Sequence, residues 1–150
     1  MFQGQLLAIY VHGPKGDDLR RVETAEVHAG RGIQGDRYCR KEGAGNPDQE
    51  ITLVEMEAVE ALALESGMKL DAVKIRRNLL TREVPLNHLV NREFQVGDIV
   101  LRGLRLCEPC DHLESLTVAG IKDGLRHRGG LRAQVVVGGA LRAGDVVRPR

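Results

Sequence analysis

The sequence predicts a mostly β fold, a barrel or strongly curved sheet carrying a few peripheral helices, and three observations support this. Short runs of Val, Ile, Leu and Thr recur along the chain, separated by clusters of Gly, Asp and Pro. Glycine accounts for 18 of the 150 residues, so the chain turns often. Aromatic residues are scarce, with no Trp, two Tyr and two Phe, which leaves the core to aliphatic side chains.

Taken in order, residues 5–11 (QLLAIYV), 22–27 (VETAEV) and 51–54 (ITLV) read as strands. Between the last two, residues 28–50 carry five glycines, many charges and few apolar side chains, the pattern of a long functional or mobile loop. Residues 54–67 place Met56, Val59, Ala63 and Leu64 near helical spacing, with Ser66-Gly67 as the stop. Residues 75–84 return to β character, and 94–107 read as a turn followed by two strand pieces around Gly103. At the end, Val135 to Val137 precede Gly138-Gly139, a hairpin cue, and a final strand. VGDIV (96–100) and AGDVV (143–147) are alike because Gly-Asp ahead of a β-branched run is good turn chemistry. No linker interrupts the pattern, so a single domain over 1–150 is expected.

Composition narrows the function. Lys and Arg total 22 against 21 Asp and Glu, a net charge of +1, which speaks against a nucleic-acid binder and for an anionic ligand of small size. The N-terminus lacks a basic leader and reads as a first strand, and no apolar stretch is long enough for a bilayer. Three cysteines, two of them three positions apart, do not make a secreted disulfide framework and predict a reducing cytoplasm.

The chemistry-bearing stretch is CEPC, Cys107 to Cys110. Asp111 with Glu114 matches a capping box, which would start a helix over HLESLTVAGIKDGL and set the Cys110 thiol just ahead of its positive end. Arg102 and Arg105 on the preceding strand would favour a thiolate further if they faced the same side, and Pro109 stiffens the approach. Four readings stand side by side. A thioredoxin-type pair would need a βαβ setting with the first cysteine at the helix start. A zinc site would combine Cys107, Cys110 and His112 with the distant Cys39. A single reactive thiolate, or two cysteines packed as small hydrophobes, complete the set.

Several pieces, in order, resemble the MOSC domain family, named for the C-terminal domain of molybdenum cofactor sulfurase: GIQGDRY (32–38), ITLVEMEAVEAL (51–62), RRNLL (76–80), FQVGDIVLRGLRLCEPCDHL (94–113) and RGGLRAQVVVGGALRAGDVV (128–147). The resemblance covers nearly the whole chain and is to a compact stand-alone member. It implies a barrel of the MOSC and pyruvate-kinase barrel-domain kind with peripheral helices. It assigns the family's cysteine to Cys110, either as a sulfur carrier loaded as a persulfide or as the thiolate ligand of molybdenum in molybdopterin. It also implies a choice of activities: sulfur transfer for maturation of molybdenum cofactor or a metal-sulfur centre, or a small reductase of N-hydroxylated compounds, with a non-catalytic cofactor- or zinc-binding module as a further alternative. The partner would be a cysteine desulfurase, which brings the pyridoxal phosphate this chain is too short to bind in its own domain, or a molybdoenzyme.

Cys107 would then resolve a persulfide as a Cys107–Cys110 disulfide, or pack. Molybdopterin carries a phosphate, so cationic and N–H-rich segments become candidate contacts: Arg76, Arg77 and Asn78 in one cluster, Arg128, Gly129, Gly130 and Arg132 in another. Arg77 is expected to be removable without effect on folding. Gly35, Asp36 and Arg37 in the long loop would close over the cofactor or form only a turn, while His28 and His127 are candidate proton donors that read chiefly as surface or core-edge histidines.

Overall fold

A computed structural model describes residues 1–41 and 46–150. Its strands are β1 (Gly4–Val11), β2 (Arg20–Val22), β3 (Thr24–His28), β4 (Gly32–Ile33), β5 (Ile51–Glu55), β6 (Leu79–Arg82), β7 (Glu93–Val96), β8 (Ile99–Leu106), β9 (Leu131–Val137), β10 (Gly139–Arg142) and β11 (Val146–Pro149). The helices are α1 (Met56–Ser66), α2 (Asp111–Leu116) and α3 (Ile121–Gly124). The main sheet runs β11-β7-β8-β9-β5-β6-β1, and pairing of β1 with β11 closes it into a seven-stranded barrel, with β2 added beside β1. Closure removes the open edges that a curved sheet would otherwise present. Among the described residues, the one parallel neighbour pair of strands, β5 with β6, is the pair bridged by α1, as a parallel crossover requires. A small second sheet, β10-β3-β4, lies alongside.

Two apolar clusters follow from the alternation of side chains along β1. Leu6, Ile9 and Val11 join Leu53, Phe94 and Leu101 inside the barrel, whereas Ala8 and Tyr10 face outward beneath Val59 and Leu62 of α1 and Ile121 of α3. Leu6 and Ile9 share a face despite their odd spacing because the β1–β6 register shifts between Leu6 and Ala8. One extra residue flips every later side chain, so this irregularity sets which half of β1 feeds which core.

Several elements differ from expectation. The helix buries Ala58, Val59 and Leu62, with Leu64 at 88% exposure, and Gly67 ends it at φ 73° by donating to the Ala63 carbonyl. Residues 22–27 divide into β2 and β3, which belong to different sheets. The expected long loop contains β4 and a 3₁₀ turn, Pro47–Gln49, and its residues 42–45 lie outside the described residues. Gly138-Gly139 is not a hairpin: β10 pairs with β3, and the glycines let the chain leave the barrel, since a side chain on Gly138 would meet the Val27 carbonyl. The two Gly-Asp turns join β7 to β8 and β10 to β11, and Gly97 N–H donates to Val146 O across them at 2.9 Å. The expected long helix after CEPC is two short ones, α2 and α3, parted by Gly120 at φ 96°. No helix among the described residues is long and apolar enough to cross a membrane.

β8 runs unbroken through Gly103, where the expectation was two pieces. That glycine exchanges hydrogen bonds with Asn91 (2.9 Å) and Arg92 (3.0 Å), and a Cβ there would strike the Leu89 carbonyl. Gly103→Ala should therefore lower stability by about 1–3 kcal/mol through overpacking against backbone. Gly13→Ala, with nothing within 4 Å of the new Cβ, should stay within about 0.5 kcal/mol. Urea midpoints compare the two directly, and equal midpoints would refute the packing account.

Candidate functional site

The CEPC segment leaves β8 and is pinned from behind. Cys107, 2% exposed, donates its N–H to the Gly130 carbonyl at 2.7 Å, while its own carbonyl accepts from Arg77 Nη2 at 3.0 Å. A Cβ on Gly129 would lie 2.6 Å from the Cys107 carbonyl and 2.9 Å from Pro109 Cδ. Gly129 and Gly130 thus allow the start of β9 to approach this segment closely. Neither lines the cavity described below, so an anion cradle at that pair is not what the geometry offers.

Cys110 is exposed and is itself the N-cap of α2. The capping box around Asp111 is not formed, because the Glu114 carboxylate instead accepts from Gly120 N–H (3.0 Å) and Lys122 N–H (3.1 Å), tying α2 to α3. With α2 only six residues long, the axial field expected from a long helix is much reduced. The flanking arginines also face elsewhere: Arg105 pairs with Asp48 at 2.9 Å, and Arg102 lines a separate cleft with Phe2 and Arg150.

Both cysteines line a cavity of about 340 Å³, within the range of small-molecule sites. Its cations come from four segments: Lys15 beyond β1, Arg37 beyond β4, Arg76 and Arg77 ahead of β6, and Arg132 on β9. Among the described residues, no Asp or Glu lines it. A chain of net charge +1 has therefore gathered five cations around one thiol-bearing hollow. Gln49, Thr52, Tyr38, His12 and His112 add hydrogen-bonding groups to the wall.

Arg77 is 8% exposed, and its guanidinium donates to three carbonyls: Gly129 through Nε (2.8 Å), Ile75 through Nη1 (3.2 Å) and Cys107 through Nη2 (3.0 Å). Burial pulls its pKa down, neighbouring Cys107 and Cys110 oppose that, and Arg132 adds to it, yet a guanidinium keeps its proton. Its partners are neutral, so its charge acts on the cavity. Arg77 is also a structural tie, which corrects the expectation that it is dispensable for folding. Arg76, at φ 64°, donates to the Asp17 carbonyl at 2.9 Å, and Arg132 donates through Nη1 to Asp48 O at 2.9 Å, its Nε buried without a partner among the described residues.

The opposite wall rests on Asp36, whose side chain is 1% exposed. Its Oδ1 accepts from His12 N–H at 2.6 Å and from Asn78 Nδ2 at 3.2 Å, and lies 2.9 Å from His12 Nδ1; Oδ2 accepts from Tyr38 N–H at 3.0 Å. Burial alone would raise the Asp36 pKa, but the bonds from the His12 ring, the His12 backbone and the Tyr38 backbone outweigh it and hold it below the ordinary value. Asn78 also accepts from Thr52 N–H at 3.0 Å and donates to Tyr10 O at 3.0 Å, so it knots β1 to β5 and lends the cavity one edge. Tyr38 stands edge-on to His12 at 4.9 Å and carries Arg37 over its face at 4.7 Å.

Of the residues singled out in the sequence, Cys107, Cys110, His112, Arg37, Arg76, Arg77, Asn78 and Arg132 converge on the cavity, and Asp36 supports it from below. Arg128 pairs instead with Glu65 at 2.6 Å, His127 with Glu108 at 2.8 Å, and His28 with Gln34 at 2.8 Å, all outside it. His12 and Lys15 were missed. Their only signal was a histidine and a lysine just past a buried strand, and the Asp36 partner is 24 positions away. No group of three or more His, Cys, Asp or Glu suited to a metal exists among the described residues, so Cys39 does not complete a zinc site with the CEPC pair. Nor is a thioredoxin setting present, because β8 and β9 on either side of the pair are antiparallel.

Two outcomes test these ties. Arg77→Lys should unfold about 2–4 kcal/mol more easily, since a lysine serves three fixed carbonyls poorly and leaves buried acceptors unmet. Asp36 stabilises the fold when ionised, an effect present above the ordinary carboxylate pKa and lost as pH falls through its depressed native value. The gap in urea midpoint between the wild type and Asp36→Asn should thus be full at neutral pH and close below about pH 4; a gap that widens in acid contradicts this.

The MOSC domain model matches residues 40–148. The YuaD protein of Bacillus subtilis superposes with a TM-score of 0.78 at 18% identity, covering 98% of this chain and 97% of its own. YiiM of Geobacillus stearothermophilus gives 0.78 at 14% identity over 98% and 75%, and YiiM of Escherichia coli 0.71 at 15% over 97% and 69%. These likenesses show a shared fold. No curated protein matches. The chain belongs to the MOSC domain family, which is associated with molybdenum cofactor binding.

Proposed function

We propose that the cavity binds molybdenum cofactor, with Cys110 as the thiolate ligand of its metal. The observation that carries this reading is the charge of the wall: five cations and, among the described residues, no carboxylate around one exposed cysteine. Molybdopterin is anionic through its phosphate, and a soft metal accepts a thiolate. The residues fit such a group. The Nε of half-buried Arg132 and the ammonium of exposed Lys15 have no partner among the described residues, Arg37 reaches the Tyr38 hydroxyl from an exposed position, and Arg77 contributes charge from beneath without needing to move. When bound, the cofactor supplies two-electron oxygen-transfer chemistry. The activity proposed is reduction of N-hydroxylated compounds, favoured by the histidine held in the same wall.

The exposure of Cys110 favours a second use of the same thiol. A reachable thiolate takes a sulfane sulfur from the persulfide of a pyridoxal-phosphate-dependent cysteine desulfurase and passes it to a molybdoenzyme partner. Cys107, buried and bonded through both backbone groups, has the smaller part in either use. Three free cysteines suit a reducing cytoplasm.

Protein made in a molybdenum-competent host should hold close to one molybdenum per chain, and Cys110→Ser should lose nearly all of it. Arg132→Gln, which removes one charge-assisted contact of roughly 1.5–3 kcal/mol, should weaken retention about tenfold or more while the urea midpoint stays near wild type. Elemental analysis beside denaturation reads both. Undiminished metal in Cys110→Ser would sink the ligand assignment, and a persulfide on Cys110 in metal-free protein would favour sulfur carriage.

A further inference from the structure

His12 is the one histidine of the cavity whose ring is held in a set orientation. The Asp36 carboxylate beneath it is almost wholly buried and receives the ring at Nδ1 (2.9 Å), the His12 backbone N–H (2.6 Å) and Asn78 Nδ2 (3.2 Å) on a single oxygen. A carboxylate only accepts, so it places the proton of the neutral ring on Nδ1 and leaves Nε2 as the working nitrogen. Nε2 has no partner among the described residues, and the Tyr38 ring, edge-on at 4.9 Å, limits rotation. His112 also lines the cavity, but its ring makes no hydrogen bond among the described residues. His28 and His127 bond to Gln34 and Glu108, and His88 lines a different cleft. Both His12 and Asp36 precede the residues matched by the family model, so the match itself says nothing about them.

We infer that His12, positioned by Asp36, is the proton donor of this cavity. The inference rests on the reading of the cavity as the cofactor site with a reductase activity. Removing the hydroxyl of an N-hydroxylated compound consumes two electrons and two protons and releases the amine and water. The cofactor, when bound and reduced by an external electron-transfer protein, would supply the electrons. The share of His12 is one proton. Its Nε2–H bond breaks as an O–H bond forms on the departing hydroxyl, so water leaves in place of hydroxide. The ring is left neutral with its proton on Nδ1, the tautomer that Asp36 favours. The second proton reaches nitrogen from solvent, and solvent also recharges the ring. Buried Asp36 touches no substrate and acts only through His12, the same division of labour by which a carboxylate fixes the imidazole in acid–base sites.

Two measurements on the full chain test this. In cofactor-free, nitrogen-15-labelled protein, neutral His12 should show the Nδ1–H tautomer, which Asp36→Asn should abolish, and added molybdate should shift the Nε2 resonance. In cofactor-loaded protein, His12→Gln should keep its molybdenum yet lose roughly 10²–10⁴-fold in kcat toward an N-hydroxylated amidine with KM little changed, while His28→Gln turns over like wild type. A wild-type Nε2–H tautomer, an Nε2 signal indifferent to bound molybdate, or undiminished kcat in His12→Gln each overturns the inference. Loss of molybdenum in His12→Gln makes it a cofactor-holding residue and also overturns it, with the site reading intact. A loaded wild type inert toward N-hydroxylated amidines removes its basis. Full molybdenum in Cys110→Ser marks failure of the site reading itself.

Discussion

The Arg77 guanidinium is the interaction on which the rest of the site depends. It joins three segments that are distant in sequence: the turn before β6 through Ile75, the entry to β9 through Gly129, and the CEPC segment through Cys107. Each bond ends on a backbone carbonyl, so the tie is indifferent to which side chains those positions carry. A buried ion pair would have cancelled its own field. A buried cation satisfied by dipoles leaves net charge in the wall, and a low-dielectric setting makes that charge felt in the adjoining cavity.

The other wall solves the opposite problem. Asp36 is a buried anion, and unneutralised it would repel the kind of ligand that Arg77 attracts. Its two oxygens are instead turned toward His12, Asn78 and Tyr38, with the ring of His12 between the carboxylate and the cavity. The hollow therefore presents donors and cations even though an acid lies directly behind one of its sides. Arg40 and Glu50 show the usual alternative nearby. That pair lies at 2.6 Å and is largely buried, its charges closed on one another, and neither lines the cavity.

The barrel was legible because its strands are short, aliphatic and separated by turn residues, a signal that survives without tertiary information. What escaped was set by contacts between distant segments. The β1 irregularity between Leu6 and Ala8 leaves no mark in the alternation of QLLAIYV, where every residue is apolar or aromatic except the first. Gly138-Gly139 carries a real glycine requirement, but the cause is the Val27 carbonyl and not a turn. The arginines before β6 could be placed by their order relative to other pieces, whereas His12 and Asp36 meet only because β1 and the loop after β4 close on one another.

The two cysteines show why a motif of spacing alone is ambiguous. C-x-x-C read as a unit suggests paired chemistry, but here the fold divides it. Cys107 is the last residue drawn into the barrel's hydrogen bonding, its N–H on Gly130 and its carbonyl on Arg77, and its thiol is enclosed. Two positions on, Pro109 packs where Gly129 leaves room, and this turns the chain outward so that Cys110 emerges at the start of α2. The first cysteine anchors what the second presents. Precision at Cys110 then comes from the barrel and not from α2, whose six residues would be too few to hold a thiol against a charged ligand without the Cys107, Gly130 and Arg77 ties behind it.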